Sequence, residues 1–204
     1  MKPHVICHMA ASVDGRILPS RWRPADAHAV GGLFERLHDQ LEGDAWLVGR
    51  VTGQEFARRE AYPRTGTALL PREAWIAQRD APAYGVVLDA GGKIAWGRAD
   101  IGGDPIVVVL TRQVSDAHLA GLRADGVSYI FAGESVLRAG LVDELSLVIL
   151  PVVDGSSGAP SVFDSSQPDA GAAPVRAMTL DSSETLEGGA VWLRYRLENT
   201  VISE

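Results

Sequence analysis

Short apolar runs alternate with segments of helical spacing along the 204-residue chain, and this alternation limits the folds that the chain can adopt. Each run is rich in Val, Ile and Leu and is too short for a stable helix, so we interpret it as a buried strand. The runs lie at residues 4–10, 45–49, 85–89, 106–110, 127–131 and 145–151. Strands that alternate with helices form mostly parallel sheets. Each helix returns the chain to the end of the sheet where the previous strand began, so the next strand runs in the same direction.

Helical spacing occurs between these runs. Apolar residues recur at steps of three and four at Val30, Leu33, Phe34, Leu37 and Leu41, which marks one face of a helix. A second helix is predicted at 115–124. Residues 59–82 contain several prolines and are interpreted as a long surface connection with one helical turn at 71–78.

The last third of the chain predicts two further strands, at 177–186 and 190–198, joined at Gly188 and Gly189. Paired glycines between strand patterns are typical of a hairpin. We therefore expect an α/β chain of three layers, with a central mixed, mostly parallel sheet and a C-terminal antiparallel hairpin.

Composition limits the classes of function. With 46% hydrophobic residues, 204 residues predict a single domain over 1–204. The net charge of −7 argues against a nucleic-acid partner. No run of about 18 apolar residues occurs, so we expect no membrane partner and a cytoplasmic location. Cys7 is the only cysteine, and the histidines lack ligand spacing, so no metal site is expected.

Two strand ends carry groups that suit an anion. Gly49-Arg50-Val51-Thr52 follows one strand, with Thr52 able to cap the turn, and Thr111-Arg112 follows another. Helix N-termini and guanidinium groups bind phosphate, and ligands of α/β sheets lie beyond the carboxyl ends of the strands. By spacing alone, a plain capped turn explains each segment better than an anion site does, and both interpretations stay open at this point.

Two other turns have a polar composition. Ser12 and Asp14 follow the first strand and supply acceptors and a group able to handle a proton, although Asp14 also suits a turn that binds its own backbone. Gly133-Glu134-Ser135 joins a strand to a helical pattern, as a phosphate-binding turn does. The Glu134 carboxylate would repel a phosphate there.

Five segments together resemble the riboflavin-biosynthesis pyrimidine reductase family, that of the RibD C-terminal domain, which has a dihydrofolate-reductase-like fold. They are MAASVDGRI (9–17), WLVGRVT (46–52), VVVLTR (107–112), GVSYIFAG (126–133) and LRAGLVDELSLVILPVVDG (137–155). The resemblance implies hydride transfer from NADPH to a pyrimidine- or pterin-like heterocycle or a related small molecule, by a homodimeric enzyme.

The resemblance also implies roles for individual residues. Gly49, Arg50, Val51 and Thr52 match the turn that holds the cofactor phosphates, and Thr111 with Arg112 matches the place of the 2′-phosphate. Those implied near the nicotinamide are Ala10, Ala11 and Ile17. Those implied to face the substrate are Ser12, Asp14 and Arg16, with Asp14 nearest the reacting atoms as the catalytic residue.

One departure from the family pattern lies near residues 134–136, where a βα unit with a glycine-rich turn is missing. If the short form is functional, Gly133, Glu134 and Ser135 must replace that turn in binding the cofactor. The sequence leaves open whether a segment is lacking, whether the shortened site works, or whether activity is lost. The alternative function is therefore a catalytically impaired, ligand-binding or dimerising remnant.

Overall fold

The structure is a computed structural model that describes residues 3–22, 27–63, 69–132, 142–162 and 176–201. The chain forms two compact units. The first consists of Met1–Leu41 and Gly140–Glu204, and the second of Glu42–Ala139. The assignment of 1–204 to a single domain stays a prediction.

The regular elements follow the predicted alternation. The strands are β1 (Ile6–Ser12), β2 (Ala45–Gly49), β3 (Tyr84–Leu88), β4 (Asp100–Ile101), β5 (Asp104–Leu110), β6 (Ser128–Phe131), β7 (Glu144–Leu150), β8 (Arg176–Thr185) and β9 (Val191–Val201). The α-helices are α1 (Ala27–Asp39), α2 (Arg50–Glu55) and α3 (Asp116–Ala124), and short 3₁₀ turns lie at Pro19–Arg21 and Glu187–Gly189.

The first unit contains a sheet of order β1-β7-β9-β8. β1 runs parallel to β7, whereas β9 runs antiparallel to both β7 and β8. The predicted hairpin is confirmed, and its turn places Gly188 and Gly189 at φ of 77° and 79°, a region that residues with a Cβ rarely adopt. Trp22, Leu37 and Trp192 belong to the buried core of this unit.

In the second unit, β2, β3, β5 and β6 are parallel, and β4 pairs antiparallel with β5. Parallel pairing places the carboxyl ends of these four strands at one edge. Apolar side chains that include Trp96, Leu119 and Tyr129 are fully buried in the core. The edge where the strands end is therefore supported by a packed interior.

The predicted fold class is confirmed. Among the described strands, four pairs are parallel and three are antiparallel, and the hairpin is C-terminal. The hydrogen bonds divide the strands between two sheets, one in each unit. None of the helices in the described ranges has the length and apolar character needed to cross a membrane.

The helical turn predicted at 71–78 is wrong. Trp75 instead forms a β-bridge with Tyr129, with N–H···O distances of 3.0 and 2.9 Å, and its ring stacks on the Tyr129 ring. This pairing with β6 satisfies the Trp75 backbone in extended form, so the segment does not need helical hydrogen bonds.

Replacing Gly121 with Ala is expected to destabilise the protein. Gly121 lies in α3, and a Cβ there would be 2.3 Å from Cγ of Tyr62, so the ring or the helix must move. Such overpacking costs about 1–3 kcal/mol and outweighs the helix propensity of alanine, about 1 kcal/mol over glycine. Urea unfolding measures the difference.

Gly32→Ala is the matched control, because Gly32 also lies in a helix and its Cβ would have 3.7 Å to the nearest atom, on the Arg36 side chain. We expect Gly32→Ala to raise the free energy of unfolding. An equal gain from Gly121→Ala would contradict the close contact with Tyr62.

Candidate functional site

The end of β2 leads directly into α2 in the second unit. Gly49 is the last residue of β2 and the N-cap of α2, with φ −76° and ψ 169°. A Cβ at Gly49 would meet no atom within 4 Å, so a ligand has room to approach the backbone. Thr52 does not cap the helix, contrary to the prediction, because the capping position belongs to Gly49 and no side chain makes the cap hydrogen bond.

Arg50, Val51 and Thr52 all lie on the surface in the first turn of α2, and 69% of Val51 is exposed. No ion pair or hydrogen bond engages the Arg50 guanidinium within the described part of the chain. The Arg50 guanidinium can therefore bind an anion from solution without first breaking an ion pair to another described residue.

The end of β5 has a similar combination of groups. The backbone N–H and the hydroxyl of Thr111 both donate to the carbonyl of Ala90, each at 2.9 Å. Arg112 follows and is exposed. Across the described ranges, its guanidinium has no acidic partner, and neither its own N–H nor that of Gln113 has an acceptor. Two backbone donors and a guanidinium therefore lie together at this strand end.

Sheet register brings these two strand ends near each other. Gly49 is paired with Leu88 on β3, and Leu88 is paired with Val109 on β5. Adjacent strands are about 4.8 Å apart, so the ends of β2 and β5 are separated by roughly 10 Å. The predicted anion-binding residues of the second unit thus share one edge of one sheet.

Asp89 lies between these ends, just after β3, and was not predicted as a site residue. Its buried carboxylate accepts hydrogen bonds from the N–H groups of Lys93 and Ile94, at 2.6 and 2.8 Å. The resulting turn holds Ala90, whose carbonyl binds Thr111. The signal in the sequence is an Asp at a strand end before Gly91 and Gly92, which is typical of a side-chain-stabilised turn.

His118 lies beside this turn and is also buried. Burial lowers the pKa of His118, and the nearby Asp89 charge opposes that shift. The imidazole is therefore neutral at neutral pH.

The turn after β1, in the first unit, is built around Ser12 and Asp14. Ser12 is 1% exposed. Its hydroxyl donates to Oδ1 of Asp14 at 2.7 Å and accepts from the Arg16 N–H at 2.9 Å. The only hydroxyl proton of Ser12 is thus used inside the turn, which favours a role in shaping it over the predicted contact with substrate.

Asp14 is exposed, yet both of its carboxylate oxygens accept backbone hydrogen bonds. Oδ1 accepts from the N–H of Asp154 at 3.0 Å and Oδ2 from that of Gly155 at 2.9 Å. The Ser12 hydroxyl, followed by these two N–H groups, holds the pKa of Asp14 far below its usual range. Asp14 is therefore a fixed anion at neutral pH and an acceptor, so the structure favours this role over that of a proton donor.

Arg16 and Ile17 continue the turn against the loop that follows β7. Nη1 of Arg16 donates to the carbonyl of Ala159 at 2.6 Å, and the Ile17 N–H donates to Pro160 at 3.2 Å. Ala11 is buried, whereas Ala10 and Ile17 are half-buried. The contributions of residues 154–160 were missed because they lie far away in sequence.

Gly133, Glu134 and Ser135 lie outside the described residues, as does most of the connection in which the βα unit is missing. Within the described ranges, no group of three or more His, Cys, Asp or Glu side chains is arranged to hold a metal ion.

Comparison with known proteins places this geometry in a known fold. No protein-family model matches the sequence, and neither does any curated protein. A solved pyrimidine reductase-like protein from Corynebacterium diphtheriae does match, with a TM-score of 0.61 and 16% identity over 97% of this chain and 93% of that one. The chain has a pyrimidine-reductase-like fold.

Two longer proteins share this fold. RibD of Acinetobacter baumannii matches with a TM-score of 0.50 and 14% identity over 97% of this chain. The Thermotoga maritima diaminohydroxyphosphoribosylaminopyrimidine deaminase/5-amino-6-(5-phosphoribosylamino)uracil reductase matches with a TM-score of 0.50 and 16% identity over 96%. The present chain spans 58% and 57% of their lengths. The resemblance to riboflavin-biosynthesis reductases, with their dihydrofolate-reductase-like fold, is confirmed at the level of fold.

Proposed function

We propose that the protein is an NADPH-dependent reductase of a pyrimidine- or pterin-like heterocycle. The observation that carries this proposal is the edge of the second unit where β2 and β5 end. Arg50 and Arg112 are exposed there without acidic partners within the described residues, beside the N–H groups of Arg112 and Gln113. This set of donors suits the phosphates of a dinucleotide, including a 2′-phosphate.

The family resemblance supplies the roles that this proposal gives to individual residues. In the second unit, Gly49 lets the cofactor approach the backbone, Arg50 with Val51 and Thr52 borders its phosphates, and Thr111 with Arg112 holds the 2′-phosphate. In the first unit, the turn at Ala10–Ile17 serves the ring and the substrate, with Arg16 fixed against Ala159.

NADPH supplies a hydride when it is bound, and reduction of a C=N or C=O bond also needs a proton. The ionised Asp14 orients an N–H or O–H of the substrate and stabilises positive charge on the substrate as that proton is gained. The proton itself then comes from water, because Asp14 has none to give at neutral pH.

The 5-amino-6-(5-phosphoribosylamino)uracil of the Thermotoga maritima reductase is the first substrate to assay. A homodimer and a cytoplasmic location stay predictions. The alternative of a catalytically impaired remnant rests on the connection at 133–141, which lies outside the described residues, and it predicts no detectable reduction of any substrate by either nicotinamide cofactor.

Titration with NADPH and NADH, followed by nicotinamide fluorescence, tests the proposal. We expect NADPH to bind more tightly than NADH by about tenfold or more, because a charge-assisted hydrogen bond contributes roughly 1.5–3 kcal/mol. Raising the salt concentration should reduce the difference in affinity between NADPH and NADH, since salt screens the attraction between exposed charges. Failure of both cofactors to bind would refute the reductase proposal and favour the remnant.

A further inference from the structure

Arg72 makes a dense set of hydrogen bonds that the proposed function does not use. It lies in the connection before β3, in the same unit as the strand ends. Nε donates to the carbonyl of Arg112 at 3.2 Å, and Nη2 donates to the carbonyl of Val114 at 2.9 Å. Nη1 donates to Oδ1 of Asp116 at 2.6 Å and to the carbonyl of Leu70 at 2.8 Å. All three guanidinium nitrogens are therefore engaged.

These contacts determine how the turn after β5 is oriented. Arg112 precedes Gln113 in the chain and Val114 follows it. The carbonyl oxygens of Arg112 and Val114 both accept hydrogen bonds from Arg72, so both carbonyls point toward it. Because a trans peptide is planar, the Gln113 N–H points opposite to the Arg112 carbonyl and so away from Arg72. Arg72 thus fixes the direction of a backbone donor adjacent to the Arg112 side chain.

Asp116 fixes Arg72 in turn. Its Oδ1 accepts from Arg72 and from the Leu70 N–H, the latter at 3.1 Å. The hydrogen bond from Arg72, followed by that from Leu70, lowers the pKa of Asp116. The first residue of α3, the connection before β3 and the turn after β5 are joined through one guanidinium.

We propose that Arg72 is a positioning residue for cofactor selection: it orients the peptide after Arg112 so that the Gln113 N–H and the Arg112 guanidinium bind one phosphate monoester together. This inference rests on the proposed function, in which that monoester is the 2′-phosphate of NADPH. A guanidinium is needed, because the single nitrogen of a lysine cannot reach two carbonyls and a carboxylate in this planar arrangement.

The test is the ratio of the NADH to the NADPH dissociation constant in the intact protein. Arg72→Gln and Arg72→Lys should each lower this ratio by about fivefold to tenfold, with NADH binding unchanged within about twofold. In an Arg112→Ala background, Arg72→Gln should lower the ratio by much less, because the two residues act on one phosphate. Arg72→Lys keeps a charge beside Asp116, so it serves as the variant most able to fold.

Arg79→Gln is the matched control, since Arg79 is exposed and makes no hydrogen bond or ion pair with any described residue; it should leave the ratio unchanged. A lower ratio in Arg112→Ala but not in either Arg72 variant would overturn the inference and leave the proposed function standing. If the Arg72 variants bind NADPH and NADH more weakly by the same factor and also have a lower melting temperature, Arg72 has a purely structural role and the inference is overturned. A ratio that no variant changes, Arg112→Ala included, would overturn the inference and remove Arg112 from contact with the 2′-phosphate, whereas the proposed function is refuted only if neither cofactor binds.

Discussion

Replacing Arg112 with Ala is expected to raise the NADPH dissociation constant by roughly 10- to 100-fold, as loss of a charge-assisted hydrogen bond to phosphate would. NADH has no 2′-phosphate, so its dissociation constant should change by less than about twofold. The effect on NADPH is expected to be large because the Arg112 guanidinium makes no ion pair with any described residue, so no acidic side chain among them competes with the phosphate for it. The substitution therefore leaves no buried acidic group without a partner, and the folded protein should lose little stability.

Isothermal titration with both cofactors measures this effect, and Arg79→Gln is again the control for loss of one positive charge from the second unit. Arg112→Lys adds a second comparison, because it retains the charge and loses the planar fork that binds two phosphate oxygens. It should fall between wild type and Arg112→Ala. Equal losses for NADPH and NADH would remove Arg112 from contact with the 2′-phosphate.

Local sequence was sufficient for most of the fold. Ala45–Gly49 was predicted as a strand with the bounds that the structure has, because five consecutive residues of apolar and small character are bounded by polar ones. The pattern failed at Trp75, since its partner Tyr129 belongs to a distant strand. Pairing between distant segments is a tertiary effect that local composition does not encode.

The candidate site divides in the same way. Thr111 and Arg112 were predicted because a hydroxyl and a guanidinium directly follow an apolar run. Arg72 was not predicted, because the carbonyls that it binds become its neighbours only when the connection before β3 packs on the turn after β5. The role of Arg72 is inferred from hydrogen bonds between distant segments, and no local sequence motif indicates it.

The turn after β1 shows a different limit. Ser12 and Asp14 have the composition of a site that binds a ligand and equally that of a turn that binds itself. The structure shows their mutual hydrogen bond and the backbone donors from residues 154 and 155. Those donors come from the other end of the chain, so the lowered pKa of Asp14 was beyond the reach of the sequence.

Replacing Asp14 with Asn is expected to lower turnover by about 100-fold, within the range by which a positioned charged group accelerates a reaction, and to leave the NADPH dissociation constant unchanged within about twofold. Asn has nearly the same size and retains one oxygen able to accept from the Asp154 or Gly155 N–H. It removes the negative charge that the proposed mechanism uses. Steady-state kinetics with the uracil substrate, beside an NADPH titration, measures the two effects separately.

Asp39→Asn is the control, because Asp39 is exposed at the end of α1 and makes no hydrogen bond or ion pair with any described residue. It loses the same charge from the same unit and should keep full turnover. A melting temperature measured for each variant separates lost chemistry from a disordered turn. Unchanged turnover in Asp14→Asn would reduce Asp14 to a turn former.

The pH profile provides a second check on the same residue. The folded-state pKa of Asp14 is lowered. The carboxylate is therefore charged throughout the pH range in which carboxyl groups ordinarily titrate, and it loses its charge only when the pH falls through the lowered pKa. Stability contributed by its hydrogen bonds is likewise full above about pH 4, the unfolded pKa of Asp, and declines below it. Turnover should therefore show no titration of Asp14 between about pH 5 and pH 8. If a limb in that interval disappears in Asp14→Asn, then Asp14 does give up a proton, and the role of fixed anion is wrong.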